Sequence, residues 1–470
     1  MMEKLKKNKY IILFSLVLIS LCLFSMRFVF YECDYFWHIK AGEYMVNNNT
    51  ILTHDIFSWF VKGKYWFSHE WLFEIFLYNL LKIFGNFHIY VYCFLFFMIL
   101  LFSIFIPNRK EYLKNIPFCM LWFAFSAIIF FFLQARPHLI TYCLISILLY
   151  ILFDLYKNEN SLKIYFIPII SLIWVNMHGG SSSLVYILPL IFIISGIIPF
   201  NFSKIEGVKY SKKQLVKFIA CFFLAFIPLF INPHGYKMIL YPYENMGNSL
   251  MLSNISEWQC SDLNLVVDYP FFILAFIIFI FMFLSKKKIR LIDFLLFLFG
   301  LYLGLKSLRF WPFVYIFMSH SIFYYIKDRK IDRGTCLVFG VLICTFISLF
   351  VFNISNLRTS PKKIISDKAI SVLRKENPKR LLNYYDYGGY LIYKDIPVFI
   401  DGRADLYSLY NYEDYLDIDN LSYGYDKLLK KYKFDYILMP KKSGFSTYLN
   451  ENSKYDLIYS DKKVVIFKVK

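Results

Sequence analysis

The chain has 470 residues, of which 58% are hydrophobic and 18% charged, and its formal net charge is +19. This apolar content exceeds what a soluble domain needs for its core, so the composition excludes an ordinary soluble protein. The excess of Lys and Arg lies in short loops between apolar segments. The basicity therefore reflects membrane topology, and we expect no nucleic-acid partner.

Apolar segments long enough to cross a membrane recur along the first three quarters of the chain. A hydrocarbon layer of about 30 Å takes about 20 helical residues. Backbone groups in lipid must bond within their own segment, which favours helices. The sequence therefore predicts an all-α polytopic bundle with about eleven spans. The expected spans are residues 10–30, 87–106, 116–135, 138–156, 164–178, 182–199, 215–232, 269–285, 291–306, 309–326 and 334–353.

The basic loops predict the orientation. By the positive-inside rule, the Lys- and Arg-rich loops are cytoplasmic. We thus expect a multi-pass protein of the cell membrane, with a cytoplasmic N-terminus and an extracytoplasmic C-terminal domain. The apolar segment 71–84, which contains Glu74 and Lys82, is then an interfacial or re-entrant helix on the outer side. The basic loops are residues 4–9, 109–114, 157–163, 204–217, 286–290 and 327–333.

Two domains are expected. Residues 1–353 form the membrane domain, whose first outer loop, residues 31–86, contains the densest polar motifs. Residues 354–470 contain no apolar span and predict a small extracytoplasmic α/β domain. We expect a turn at residues 387–390 and helical structure within 412–432. The expected strands are residues 380–383, 398–400, 436–439, 456–460 and 463–469, the last two forming a hairpin.

Seven of the eight histidines fall on the predicted outer face. A protein that only needed to sit in lipid would have no reason to collect ionisable side chains on one side. The pattern therefore indicates a site that opens to the outer face of the bilayer. The seven are His38, His54, His69, His88, His138, His178 and His234, while His320 lies in the middle of a predicted span.

The first outer loop carries two acidic motifs. Glu32 and Asp34 are spaced so that both can bind a divalent cation, or one can accept a proton while the other positions it. The alternative is a solvated acidic turn at a helix end. The spacing matches no known metal signature, so we assign no metal ligands, although a divalent cation remains compatible with these residue types. The neighbouring polar and aromatic candidates are Trp37, His38, His69 and Glu70.

Two arginines, Arg136 and Arg309, stand at the outer ends of predicted spans. A guanidinium suits phosphate because it can form two parallel hydrogen bonds. The alternative is snorkelling or topological anchoring. Because the positive-inside bias disfavours outer-face arginines, neither interpretation prevails at this point.

Amide and histidine side chains also recur where predicted helices leave the membrane. They are suited to hydrogen bonding with sugar hydroxyls or phosphate, although each motif alone is compatible with an ordinary helix cap. Glu257 is followed by Trp258 and Gln259, an acid, an aromatic platform and an amide, as saccharide sites often need. The amide–histidine pairs are Asn176 with His178 and Asn232 with His234.

Taken together, these motifs resemble a family of multi-spanning bacterial membrane proteins that is itself similar to the GT-C superfamily of glycosyltransferases. The resemblance covers nearly the whole chain. The motifs that carry it are DYFWH at 34–38, DIFS at 55–58, WFSHEWL at 66–72, RPH at 136–138, NMHGG at 176–180, NPHG at 232–235, LR at 308–309, YDYGGY at 385–390 and DGR at 401–403.

The resemblance implies sugar transfer from a polyprenyl-phosphate donor to a glycan, lipid or protein acceptor outside the cytoplasm. GT-C enzymes place an acidic motif in the first outer loop, where Glu32 and Asp34 stand. Asp34 would then be the catalytic base and Glu70 the second acidic element. The remaining candidates would bind substrate: Glu32, Trp37, His38, Asp55, His69, Arg136, His138, Asn176, His178, Asn232, His234, Glu257 and Arg309.

Two alternatives remain open at this stage. One is a non-catalytic protein that binds or translocates a lipid-linked saccharide, for which polar residues should line a path through the spans. The sequence has few such residues, which favours a one-sided site. The other is an enzyme similar to O-antigen ligases or polymerases, which would not need the Glu32 and Asp34 pair.

Overall fold

The computed structural model describes residues 33–112, 132, 134–247, 249–255, 258–265, 268–326 and 365–470. The expected spans 10–30 and 334–353, most of 116–135, and the candidates Glu32 and Glu257 lie outside the described residues. The chain forms two compact units. One, here called the loop–tail unit, combines Phe30–His88 with Ser360–Lys470, and the other, the helical unit, combines Met1–Val29 with Ile89–Thr359. The predicted boundary between residues 353 and 354 stays a prediction.

Two helices open the loop–tail unit, α1 (Cys33–Asn48) and α2 (Trp71–Phe84). They pack closely, because a Cβ on Gly42 would overlap the backbone carbonyl of Glu74. Only glycine permits this approach of two backbones. Helix α2 ends where Gly85 takes φ +52°. The helix predicted at residues 71–84 is thus confirmed, while its interfacial position stays a prediction.

The described residues between His88 and Ile326 are mostly helical. Prolines in the first turns of several helices fit the rule that a missing N–H costs little there. The helices are α3 (His88–Tyr112), α4 (His138–Lys157), α5 (Ile167–Met177), α6 (Leu184–Ile197), α7 (Lys212–Phe226), α8 (Lys237–Gly247), α9 (Ser249–Asn254), α10 (Tyr269–Leu284), α11 (Leu291–Lys306), α12 (Trp311–Ser319) and α13 (Ile322–Ile326).

By length and apolar composition, four helical stretches of the described chain can cross a membrane. These are Trp71–Leu100, His138–Lys157, Gly179–Ile197 and Lys212–Phe230, and two shorter apolar helices are Lys163–Met177 and Tyr269–Leu284. The expected count of eleven spans is therefore not confirmed. The span expected at 309–326 is not one helix, because α12 ends at Ser319 and α13 begins at Ile322.

Three basic loops of the helical unit lie together. Tyr156, at the end of α4, accepts a backbone hydrogen bond of 2.8 Å from Gln214 Nε2. The guanidinium carbon of Arg290 lies 5.3 Å from the centre of the Tyr156 ring. The loops that the positive-inside rule assigns to one side therefore meet at one end of these helices. They are residues 157–163, 204–217 and 286–290.

Short strands also join two of these loops. Strand β1 (Asn201–Phe202) pairs antiparallel with β2 (Ile205–Glu206), and β2 pairs parallel with β3 (Ile289–Arg290). This small sheet fixes the backbone on which Arg290 stands.

The tail is a small α/β fold around a four-stranded sheet. The sheet order is β4-β5-β7-β6, with β4 and β5 parallel and the other pairs antiparallel. The elements are α14 (Asp367–Glu376), β4 (Leu381–Asn383), α15 (Gly388–Tyr393), α16 (Ala404–Tyr407), α17 (Tyr412–Asp419), α18 (Tyr425–Tyr432), β5 (Tyr436–Pro440), α19 (Gly444–Glu451), β6 (Tyr455–Ser460) and β7 (Val464–Val469).

The tail confirms four of the five expected strands and the helical structure expected within 412–432, and it corrects two local predictions. Residues 387–390 belong to a 3₁₀ turn and α15 rather than to a simple turn. The segment 398–400 is not a strand of the sheet, because the amide of Phe399 bonds to the Asn383 side chain at 2.9 Å. The segment 412–432 forms two helices, which separate where Leu421 and Gly424 take positive φ angles.

A buried ion cluster joins the first loop to the tail within the loop–tail unit. Arg403 Nη1 lies 2.6 Å from Asp55 Oδ1, and Nη2 lies 2.7 Å from Asp401 Oδ2. Tyr407 donates to the same Asp401 oxygen at 2.5 Å. The amide of Ser58 donates to Asp55 at 2.9 Å. Because both carboxylates have further donors, the cluster keeps its buried charges compensated.

Arg403→Met should therefore lower the free energy of unfolding by about 3–5 kcal/mol, because it leaves two buried carboxylates without their cation. Lys40→Met is the matched control, since its partner Asp395 is exposed to solvent and a pair of this kind is worth about 1 kcal/mol or less. Thermal unfolding of the purified protein in detergent measures both. Equal melting temperatures for the two variants would contradict the assigned role of Arg403.

Candidate active site

Asp34 lies in the first turn of α1 and is partly exposed. Trp37 Nε1 donates to Asp34 Oδ1 at 3.2 Å. The α-carbon of Gly402 stands against the same oxygen, since a Cβ there would overlap it. A Cβ on Gly389 would likewise overlap the carbonyl of Cys33. The carboxylate is therefore positioned by an indole donor and by close backbone packing, as a reacting group requires.

The five-residue segment 401–405 contacts the first loop at three points. Gly402 touches Asp34, as described, and Arg403 pairs with Asp55. Asp405 Oδ2 lies 3.9 Å from His69 Nδ1. The composition of this segment is that of a β-turn, and in the structure it connects three polar residues of the loop.

Two histidines and three carboxylates alternate beside this segment. Glu74 Oε1 lies 3.5 Å from His38 Nδ1, and His38 Nε2 lies 3.4 Å from Glu70 Oε2. Glu70 Oε1 lies 3.2 Å from His69 Nε2, which continues to Asp405. We call these five residues the acid–histidine chain. It runs from Glu74, which is fully buried, to Asp405, which is 14% exposed, so it can hold or pass protons between the interior and the surface.

The chain touches Asp34 through one aromatic ring. The rings of Trp37 and His38 are 3.7 Å apart, and the Trp37 indole donates to Asp34. His38 therefore contacts the donor that positions the Asp34 carboxylate. Glu74 and Asp405 were not among the expected site residues. Glu74 stands one helical turn after Glu70, and this spacing is the signal in the sequence by which Glu74 could have been identified.

The electrostatics of His69 follow from this arrangement. Burial lowers the pKa of the His69 imidazole, but the carboxylates of Glu70 and Asp405 more than offset this and raise the pKa above its ordinary value. The protonated ring thus bridges two acids.

Tyrosines and acids of the tail surround the Asp34 side of the loop–tail unit. Burial and the negative charge of Asp34 raise the pKa of Tyr385, so its phenol stays protonated. Loss of solvation also raises the pKa of Asp386 and, despite a hydrogen bond from Tyr415, that of Asp419. Phenols and carboxylates beside aromatic rings suit sugar hydroxyls and faces. Sequence analysis missed these residues because it favoured a simple turn at 386–389.

Three more site candidates lie in the helical unit, at the start of α4 and close to α11 and α12. His138 Nε2 lies 2.7 Å from the carbonyl of Phe132, and Tyr92 donates to the carbonyl of Arg136 at 2.6 Å. Tyr142, one turn after His138, donates to the carbonyl of Arg309 at 3.3 Å. Arg136 and Arg309 are therefore on neighbouring segments, as the expected phosphate site requires.

The guanidinium of Arg309 lies over an aromatic ring. Its Cζ is 4.8 Å from the centre of the Trp258 ring, a cation–π contact. Trp258 was expected as an aromatic platform, and this contact gives it a second task.

The two amide–histidine motifs are tied to this same end of the helical unit. His178 Nδ1 lies 2.7 Å from Thr141 Oγ1, in the first turn of α4. Asn176 Nδ2 donates to the carbonyl of Ile231 at 3.0 Å. Asn232 Oδ1 accepts from the amide of His234 at 2.7 Å and its Nδ2 caps nearby carbonyls. These bonds give both amides a structural role.

The other candidates are placed as follows. Asp55 is buried in the Arg403 cluster, so its contacts support a structural task. His88 Nε2 lies 2.6 Å from the hydroxyl of Tyr35. Among the described residues, no group of three or more His, Cys, Asp and Glu side chains is arranged to hold a metal ion. We therefore derive no step that uses a metal.

Solved structures resemble this chain along most of its length. A crystal structure of the Archaeoglobus fulgidus oligosaccharyltransferase, tethered to an acceptor peptide containing the NVT sequon, matches with a TM-score of 0.56 and 10% identity. The match covers 91% of this chain and 69% of that chain. The apo form of that protein matches over the same shares, with a TM-score of 0.50 and 10% identity. No family model and no curated protein matches the sequence.

At this identity, the likeness shows the fold alone. Together with the four apolar helical stretches, it supports a membrane protein.

The raised pKa of His69 predicts a pH dependence of stability. The folded state holds the proton more tightly than the unfolded state, so this stabilisation is complete below a pH of about 6.5. It is lost as the pH rises through the raised pKa. The difference in melting temperature between wild type and His69→Gln should therefore be largest at low pH and shrink above that pKa. In Asp405→Asn the loss should begin at lower pH. A difference that does not vary with pH would rule out this origin.

Proposed function

We propose that the chain is an integral membrane glycosyltransferase of GT-C type. It transfers a sugar from a polyprenyl-phosphate donor to an acceptor hydroxyl on the extracytoplasmic face, with inversion at the anomeric carbon. The observation that supports this most is the setting of Asp34, a partly exposed carboxylate held by Trp37 and Gly402. The fold likeness to an oligosaccharyltransferase adds to it.

In the reaction, Asp34 is the general base. Its carboxylate takes the proton of the acceptor hydroxyl, and the oxygen forms a bond to the anomeric carbon from the face opposite the phosphate. The bond from that carbon to the phosphate oxygen breaks, and polyprenyl phosphate leaves with the electron pair. Negative charge thus moves from the carboxylate to the leaving group.

Stabilising the charge on the departing phosphate is the largest electrostatic demand of this transfer. Arg136 and Arg309 are the cations that we assign to it, because a guanidinium can bind phosphate through two hydrogen bonds. Tyr142 ties the backbone of Arg309 to α4, which begins directly after Arg136 and Pro137. His178 and Asn232 are assigned to hydrogen bonds with the substrate.

Glu70 is the second acidic element of the proposed site. Its two oxygens face His38 and His69, so its charge is shared with two imidazoles. We assign it the task of keeping His38 in place against Trp37 and, through that ring, Asp34. Tyr385 and Asp386 are assigned to the hydroxyls of the transferred sugar or the acceptor.

Asp34→Asn should lower sugar transfer by about 10²–10⁴-fold, because the amide cannot accept the proton. Transfer of radiolabelled sugar from a polyprenyl-phosphate donor, with the protein reconstituted in liposomes, measures this. Glu43→Gln is the matched control, an acid on the same helix that pairs with Lys40. It should retain wild-type transfer.

Full activity in Asp34→Asn would overturn the assignment of the base. If wild type binds donor tightly and consumes none, the function is instead the binding or translocation of a lipid-linked saccharide. A parallel assay with a chelator reports whether a divalent cation takes part.

Gly402→Ala should reduce transfer while the protein remains folded in the membrane. The added methyl group would overlap Asp34 Oδ1, so the carboxylate must move away from its position beside Trp37. Gly444→Ala is the matched control, because a Cβ there meets no atom within 4 Å. Equal transfer by the two alanine variants would show that the position of Asp34 does not matter.

A further inference from the structure

A cavity of about 360 Å³ lies at the end of the helical unit where the basic loops meet. Its wall combines the end of α4, the segment after β2, the start of α7 and the segment that contains β3. No step of the proposed transfer uses it. The residues that matter for its chemistry are Lys209, Lys288, Arg290, Tyr156, Gln214 and Tyr324.

One cation of this wall is fixed in place. Arg290 Nε donates to Asp293 Oδ2 at 2.7 Å, and Asp293 is fully buried. The guanidinium lies over the rings of Tyr324, at 4.5 Å, and Tyr156, at 5.3 Å. An ion pair on one edge and aromatic rings on its faces hold the orientation of the Arg290 guanidinium. A ligand that binds it therefore loses little free energy in ordering this side chain.

Positive charge exceeds negative charge around the cavity. Lys288 pairs with Glu206 at 3.3 Å, but both side chains are about half exposed, so this pair is weak. Lys209 is a further cation of the wall, and Lys157 at the end of α4 is close enough to Arg290 for the two charges to repel. An anion in the cavity would relieve this repulsion, and only Glu206 among the lining residues opposes it.

The polar lining fits one class of anion. The hydroxyls of Tyr156 and Tyr324 are neutral donors beside the cations, and phosphate oxygens accept from both kinds of group. The volume is at the lower end of the range for ligand sites, which suits a compact headgroup. Basic pockets between membrane helices, on the side of the Lys-rich loops, are where anionic headgroups bind.

We propose that this cavity binds a phosphate-bearing anion, presented by the headgroup of an anionic phospholipid. The site is separate from the end of the helical unit that carries Arg136 and His178, and it does not depend on the proposed transfer. A soluble phosphate has the same chemistry, so the test must distinguish the two sources.

The experiment uses the full chain, purified in a non-ionic detergent. Intrinsic fluorescence is followed during titration with short-chain phosphatidylglycerol, short-chain phosphatidylcholine or inorganic phosphate. We expect saturable binding of phosphatidylglycerol and none of phosphatidylcholine. Lys209→Gln combined with Lys288→Gln should weaken that binding about tenfold or more, since two cations that attract the headgroup phosphate are removed.

Two further variants complete the design. Lys209→Arg combined with Lys288→Arg should bind as wild type, because the charge is kept. Lys427→Gln combined with Lys430→Gln removes the same charge from exposed positions of α18 and should also bind as wild type. Inorganic phosphate that binds and competes, with the same loss in the glutamine variant, would support the site with a soluble ligand. Equal binding by the glutamine variant and wild type, or no binding of either phosphate source, would overturn the proposal.

Discussion

The loop–tail unit depends on one buried guanidinium. Arg403 is placed between Asp55 from the loop and Asp401 from the tail, and all three are fully buried. Two charges 4 Å apart at a protein surface attract by about 4 kcal/mol, and in a dry interior by more. That gain offsets desolvation only while the remaining oxygens are hydrogen-bonded, which Tyr407 and the amide of Ser58 accomplish. The cluster therefore fixes the position of the segment 401–405, and with it the position of the side chains that contact this segment.

This constraint explains why the acids of the proposed site can be arranged so tightly. Gly402 and Asp405 flank Arg403 in sequence, so fixing the arginine also fixes the contact to Asp34 on one side and to His69 on the other. Acids this close would repel one another if water alone screened them. The imidazoles of His38 and His69 instead lie between the carboxyl groups of Glu74, Glu70 and Asp405. A proton on an imidazole offsets the negative charge of the carboxylates beside it. Trp37 connects these residues to Asp34, because its ring packs on His38 and its N–H donates a hydrogen bond to the Asp34 carboxylate.

Sequence analysis anticipated the elements that local patterns determine. Apolar runs gave helices at residues 71–84, 138–156 and 291–306, and β-branched runs gave the final hairpin. It did not anticipate contacts between segments that are distant in sequence. Asp401-Gly402-Arg403 has the composition of a β-turn, and nothing local shows that its arginine would meet Asp55 some 350 positions earlier. Residues 398–400 have the composition of a strand, but the amide of Phe399 donates its hydrogen bond to the side chain of Asn383 rather than to a neighbouring strand. The expected span at 309–326 was not one helix because a long apolar run does not show where a helix ends. Here one helix ends at Ser319.

The cationic side chains at the two ends of the helical unit have different surroundings, and this difference bears on the proposed function. At one end, lysines and Arg290 line a cavity beside loops whose charge the positive-inside rule already explains. At the other end, the guanidinium of Arg309 lies over the ring of Trp258. An aromatic face attracts a cation without cancelling its charge, so the guanidinium keeps its attraction for an anion from elsewhere. A cation held by a ring face stays oriented toward an anion, which agrees with the proposal that Arg309 binds the phosphate of the donor.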